Sequence, residues 1–568
     1  MAQTQETQHA LLIPWGHFAR EIGLISGIEA VKLSQKVYEH RPQTKVIEFL
    51  VAILSGAKYL QDVSLAAHPL DKDVAVAQAW GQPGWADYTG VSRTLKKLSW
   101  AEAHTLVEVL ERVSQRMIES ELALLRAAGC GLEYDGDLTG LPVSNTSRTY
   151  PNAAYGHMSD EIRLGYQAGV VSLQSPTYGR LWISVDHHAG DTVSCTQVAT
   201  LLRAAEKRSG QRPKRRTELL QQRIEAQIKS RAPAEARLAI QQAKLAEAQR
   251  AKEEVSAQWR AETQPKRIAV LERRALRREK SVEIARKKLE KTLAQMKVHL
   301  EDEKILRQRL EQLERDNAEN TQPVEACFRL DAGFGTYENI ALLIEMGYEV
   351  YVKLHNHKIT EMLKAKNSPD TLWTRVGNNA EMVAWSGLEL QHCPYPLDVA
   401  LERFYTGKTP KHSALAHFGD TPVTTDLPAW FNRYNARQTI EAGIKETKQV
   451  FYLNRLKVRS EPAIYLQEAM TIFAANFIRW ATAWIEQHAL PGENALPLSK
   501  MGIKQQVQVA AHTSATVIHH SGGMLLTFSP ASVFAGKSLF FPAPTRSLWR
   551  ICFLPLFTFL SLIAQKLR

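Results

Sequence analysis

Four side chains in the last third of the chain, Tyr434, Arg437, Glu441 and Lys448, stand three, four and seven residues apart. On one continuous helix, at roughly 100° per residue, they would fall within a stripe about 60° wide. Such a stripe offers one carboxylate able to hold a divalent cation and two cations able to hold phosphate. It also offers an aromatic ring that can stack or donate a hydrogen bond. That combination suits chemistry on a phosphodiester. The same spacing also fits a solvated helix face, so the stripe must be weighed with the rest of the chain.

Two expected strands supply more acidic residues, within the strand or just after it. Leu132–Val143 opens Leu-Glu-Tyr-Asp-Gly-Asp and supplies Asp135 and Asp137, and Ala326–Leu330 leads into Asp331-Ala332-Gly333-Phe334-Gly335. Alternation turns Asp135 and Asp137 to the same sheet face and does not choose between them. Each aspartate could also be a strand-end cap or a turn former. Three carboxylates that converge are costly unless cations neutralise them. Two Mg²⁺ ions about 4 Å apart would do so, one activating a water or 3′-hydroxyl and the other stabilising the leaving oxygen.

The elements that must position these residues follow from the apolar period. Residues 1–130 carry apolar residues at helical spacing in Val46–Leu54 and Ala103–Leu125 and predict a helical N-terminal domain. Within it, Gly90–Lys97 has the look of a turn feeding a short basic helix, as in a helix-turn-helix reader, or of plain helical packing. From Gly131 the period changes. Leu132–Val143, Ile162–Leu173 and Leu181–Val185 read as strands and Thr196–Arg208 as a helix; then come a strand at Ala326–Leu330, a helix at Tyr337–Met346 and a strand at Glu349–Leu354. This order predicts an α/β molecule with an RNase H-like core, whose first and fourth strands are neighbours, rather than a doubly wound sheet.

The core is expected in three parts, 131–209, 323–355 and 431–490, the last carrying Glu441. Between the first two, 210–322 turns to Gln, Glu, Lys, Arg, Ala and Leu. Leu289, Leu293, Met296 and Leu300 follow four-three-four spacing, Leu306, Leu310 and Leu313 resume it, and Leu238 and Leu245 lie one heptad apart. Pro265 should end one long helix and start another. The expectation is an antiparallel coiled-coil hairpin with a second arm of about 50 residues, roughly 75 Å long. Its basic residues suit a solvated surface or contact with DNA. A small β-rich insertion is expected over 356–430, bearing Trp373, Trp385, Phe404 and Tyr405, and Glu461–His488 reads as a strongly apolar helix. Residues 491–568 form a C-terminal region of short strands and loops.

Composition sets wider bounds. A chain of 568 residues, 44% hydrophobic and 23% charged, suits a folded protein of several units. Its net charge of +12 favours a polyanionic partner without requiring one. Cys130, Cys195, Cys327, Cys393 and Cys552 are scattered, which supports neither a disulfide framework nor a zinc knuckle and fits a reducing cytoplasm. His187-His188, His355-Asn356-His357 and His519-His520 read as loop or surface residues. The first residues lack a basic stretch followed by an apolar run, so no signal peptide is expected. Cys552–Ala564 is almost wholly apolar but is broken by Pro555 and is shorter than the ~18–20 residues of a membrane span, so no membrane partner is expected.

Tyr434–Lys448 matches a Y-x2-R-x3-E-x6-K signature in full, and with it the chain resembles bacterial insertion-sequence DDE transposases of the cut-and-paste, hairpin-forming YREK group. Asp137-Leu138-Thr139 looks like that family's D-x-T motif, which favours Asp137 over Asp135. Asp331-Ala332-Gly333-Phe334 looks like its D-x-G-F motif, and Leu54–Asp62 resembles its helical N-terminal domain. The likeness covers about 131–480, although the family usually runs without the long insertion. The resemblance implies that Asp137, Asp331 and Glu441 are catalytic and hold two Mg²⁺ ions, with Mn²⁺ able to substitute. It implies nicking of double-stranded DNA at terminal repeats, hairpin formation by the freed 3′-hydroxyl, hairpin opening and strand transfer into target DNA. Arg437 and Lys448 would hold end phosphates, Tyr434 the distorted end, and Trp385 a flipped base. A homodimer on DNA in the bacterial cytoplasm, associated with the nucleoid, is the corresponding expectation. The rivals are an RNase H-fold nuclease without strand transfer and a DNA-binding or assembly factor that has lost catalysis.

Overall fold

The structure, a computed structural model, describes residues 3–145, 149–158, 161–368, 370–405, 407, 409–488 and 497–542. It is a mixed α/β molecule, as the alternation of periods predicts. The chain divides into two compact units. Met1–Ala127, Gly136–Val193 and Gln438–Arg568 make the first, and Ala128–Asp135 and Ser194–Arg437 the second.

In the first unit, apolar residues at helical spacing bury the inner faces of Leu12–Glu21, Pro42–Leu54, Trp100–Ala127 and Glu461–His488. Phe18 meets Phe477 and Trp480 with ring centres 5.4 and 5.1 Å apart. Asn476, buried in the Glu461–His488 helix, accepts from the Trp182 backbone N–H at 3.0 Å and donates to the Trp182 carbonyl at 2.8 Å. That pair clamps the helix to the Gly179–Ala189 strand, which runs antiparallel to Glu161–Ser175. The expected turn at Gly90 is not there. Asp87 caps a helix over Tyr88–Lys96 by accepting from the Gly90 N–H at 2.8 Å, so Gly90 sits inside the first helical turn. The N-terminal region also opens with a strand, Gln3–Thr7, which pairs with Ala515–His520 and so joins a sheet continued by Gly523–Phe528 and Ser538–Pro542.

In the second unit, Leu132–Asp135 pairs in parallel with Ala326–Leu330, which pairs in parallel with Glu349–Lys353. Pro410–Phe418, Leu397–Tyr405 and Ala380–Leu388 extend the same sheet antiparallel. The β-rich insertion therefore continues the sheet rather than standing apart. Val198–Ser209 and Tyr337–Glu345 are the helices that the pattern predicts before and after the Ala326–Leu330 strand.

Two long helices, Thr217–Ala261 and Pro265–Glu319, fill the 210–322 region. They run antiparallel, since Arg231 pairs with Glu303 and Lys252 with Glu279. Glu262 closes the turn by accepting the Thr263 and Gln264 N–H groups at 3.0 Å, and Pro265 starts the second helix, where its missing N–H costs nothing. The two ends meet as expected, with the Val324 N–H on the Arg212 carbonyl at 3.2 Å. The base is anchored by charge. Glu345, fully buried, accepts from Arg223 at 2.7 Å, Arg309 at 2.8 Å and the Tyr395 hydroxyl at 3.1 Å. Among the described residues no helix is long and apolar enough to cross a membrane. Cys552–Ala564 lies outside those residues.

Candidate active site

Asp135 and Asp137 share a strand but not an environment. Asp135 is 1% exposed, and Arg329 grips both its oxygens, from Nε at 2.7 Å and Nη2 at 3.0 Å. Burial pushes the Asp135 carboxyl up, while the guanidinium pulls the other way. Arg329 also reaches Glu133 at 2.9 Å, which completes a saturated structural pair. Asp137 is half-buried and opens on a cleft of about 420 Å³.

That cleft is lined by Asp137, Leu138, Thr139, Glu441, Ile444, Lys445, Lys448, Gln449 and Asn454. Glu441 is exposed and stands one turn before Lys445 on the Gln438–Val450 helix, which puts the two on one face. Lys448 follows one turn later and is half-buried. Burial pushes its ammonium down from the ordinary value, and the Asp137 charge pulls it back up. Two carboxylates and two ammonium groups thus meet one solvent-open surface.

The four-residue stripe is not carried on one helix. The first helix ends at Asn435, the second starts at Gln438, and the Arg437 N–H bonds the Tyr434 carbonyl at 3.1 Å in a tight turn. Tyr434 and Arg437 belong to the second unit, Glu441 and Lys448 to the first. The break follows Arg437, whose side chain is buried with its guanidinium 3.7 Å from Asp331. Tyr434 packs on the apolar cluster around Trp430 and Met382. Trp385 lies half-buried opposite Val399.

Asp331 ends its strand and turns the chain, with Oδ1 accepting the Gly333 N–H at 2.9 Å. Gly335 behind it is required by space. A Cβ on Gly335 would sit 2.1 Å from the Lys353 carbonyl oxygen. Within either unit, among the described residues, no three of His, Cys, Asp and Glu gather closely enough to hold a metal.

Three features escaped the sequence. Lys445 is one, although it stands four residues after Glu441. Arg180 is another: it bonds the Thr439 carbonyl, lies 3.5 Å from Glu446 and stacks 5.0 Å from the Trp182 ring centre. The available signal was Gly443, a glycine inside a helix, which marks a close approach. His187 is the third and corrects the surface reading of the His187-His188 run, whereas His355 and His357 are exposed as expected. The His187 side chain is largely covered, with Nδ1 2.8 Å from Glu468 and Nε2 3.7 Å from Glu461. Burial lowers its pKa, but these carboxylates outweigh burial and raise it. It was missed because the strand expected to stop at Val185 runs on to Ala189.

No model of a protein family matches the chain, and no curated protein sequence is detectably similar to it.

Proposed function

We propose that the protein is a DNA transposase with an RNase H-like core and a coiled-coil arm, acting by DDE chemistry as a homodimer on paired DNA ends. The observation that carries the reading is the cleft on which Asp137 and Glu441 meet Lys445 and Lys448. Its lining offers carboxylate oxygens and neither thiolate nor imidazole, a donor set suited to Mg²⁺ or Mn²⁺. In this reading Asp331 is the third carboxylate. The ground for including it is the likeness of Asp331-Ala332-Gly333-Phe334 to the D-x-G-F motif.

Asp137, Glu441 and Asp331 would hold the divalent cations, which supply activation of a water or 3′-hydroxyl and stabilise the leaving oxygen. Lys448 and Lys445 bind the phosphate that enters the cleft. Arg437, buried against Asp331, orients that carboxylate before it meets an end phosphate. The test is incubation of the purified chain with Mg²⁺ and DNA carrying the terminal repeats of its own element. Nicked and then hairpinned ends are expected. Asp137→Ala and Glu441→Ala should each abolish them while end binding persists. Normal cleavage by Glu441→Ala would overturn the reading, and cleavage without joining to a target plasmid would reduce it to a nuclease.

A further inference from the structure

The charge of the chain is concentrated in one place that the cleft does not use. Residues 266–297 of the second long helix hold twelve Lys and Arg against four Glu, a surplus of eight in a chain whose net charge is +12. All twelve are exposed. At roughly 100° per residue, Lys266, Arg273, Arg277, Lys280, Lys287 and Lys291 lie within about 80° of one another. The residues that close the seam with the other helix, Leu271, Val282, Leu289 and Met296, lie on the opposite side of the helix. Glu272, Glu279, Glu283 and Glu290 form a separate flank. Among the described residues, Lys287 is the only member of the basic row with an acidic partner within 4.0 Å, Glu283 at 2.8 Å.

We propose that this row is a docking surface for the phosphate backbone of duplex DNA, independent of base sequence. Ala269 and Ile284 are the apolar residues within the row, too few to bury against a protein partner. The row is about 37 Å long at 1.5 Å per residue, close to the roughly 34–36 Å of one duplex turn. Helix contacts to phosphates position a protein without reading bases. A continuous helix holds these cations in place in advance, so little order has to be imposed on binding. The inference rests on the transposase reading only for the choice of DNA as the polyanion.

The test uses the full-length chain, a random-sequence duplex lacking terminal repeats, and no divalent metal. One variant carries Arg273→Gln, Arg277→Gln, Lys280→Gln and Lys291→Gln. The other removes the same charge from exposed positions of the first arm, with Lys229→Gln, Arg237→Gln, Lys244→Gln and Arg250→Gln. Glutamine keeps helix propensity, and circular dichroism checks that helix content is unchanged. Each lost phosphate contact flattens the log–log salt dependence by about 0.9, so the row variant should lose up to about 3.6 of slope and the other variant little. Equal losses in the two variants, no loss in either, or a loss seen only on phosphatidylserine vesicles overturns the proposal. Because neither metal nor terminal repeats are present, failure here leaves the cleavage reading standing. A chain that never cleaves its ends can still show the slope change.

Discussion

Asp135 and Asp137 show how two carboxylates of one type, two residues apart, can stand in opposite surroundings. Alternation alone could not separate them, and the D-x-T resemblance pointed to Asp137. The physical reason lies in Arg329, a buried cation on the neighbouring strand whose partner no local pattern reveals. Removing one member of a buried pair leaves the other charge stranded, at a cost of about 3–5 kcal/mol. Asp135→Asn should therefore lower the denaturation midpoint sharply, and Asp137→Asn should lower it less, because an amide oxygen can still accept the Leu138 N–H that Asp137 holds at 2.8 Å. Cleavage should behave the other way, lost in Asp137→Asn and retained per folded molecule in Asp135→Asn. A stable, inactive Asp135→Asn would exchange the two assignments.

Helices and strands were legible where their period is strong, and their boundaries were not. The core strands and their helices follow from alternation and Gly/Pro punctuation. The interruption at Ala436–Arg437 has neither Gly nor Pro to announce it, because it is imposed by the burial of Arg437 at Asp331. The position of the Glu441 helix has a visible marker instead, Gly443. An alanine in a helix interior is normally better than glycine by about 0.5–1 kcal/mol. Here a Cβ would fall 2.2 Å from Arg180 Cζ, so the guanidinium would have to leave Thr439 and Glu446. Gly443→Ala should thus destabilise by about 1–3 kcal/mol, as overpacking does, and slow cleavage by shifting Glu441. In combination with Arg180→Ala its further cost should shrink, because the obstructing group is gone. A double-mutant cycle by denaturation measures this, and strict additivity would show that the two residues do not act on each other.

At the scale of the whole chain, the heptad spacing and Pro265 revealed the long hairpin, while its anchorage stayed hidden. Nothing in the expected Tyr337–Met346 helix marks Glu345 as a buried charge, yet it is buried under arginines from both arms. The pairing of Gln3–Thr7 with Ala515–His520 was equally invisible, because the first strand has no apolar alternation and its partner lies at the far end of the chain. The anchorage decides how the hairpin can be removed. Excising Gln211–Gln322 outright deprives Glu345 of Arg223 and Arg309 and should cost the second unit about 3–5 kcal/mol. Replacing Pro233–Glu301 with a short Gly/Ser linker keeps those pairs and the Arg231–Glu303 bridge. Packed helices stand about 8–10 Å apart, which three or four residues span at about 3.5 Å each. The shortened chain should unfold at the same denaturant concentration as the intact one and still cleave ends at low salt, while losing the salt-sensitive binding to random duplex. If outright excision proves as stable as shortening, Glu345 does not hold the hairpin to the sheet, and the arm is a passive insertion.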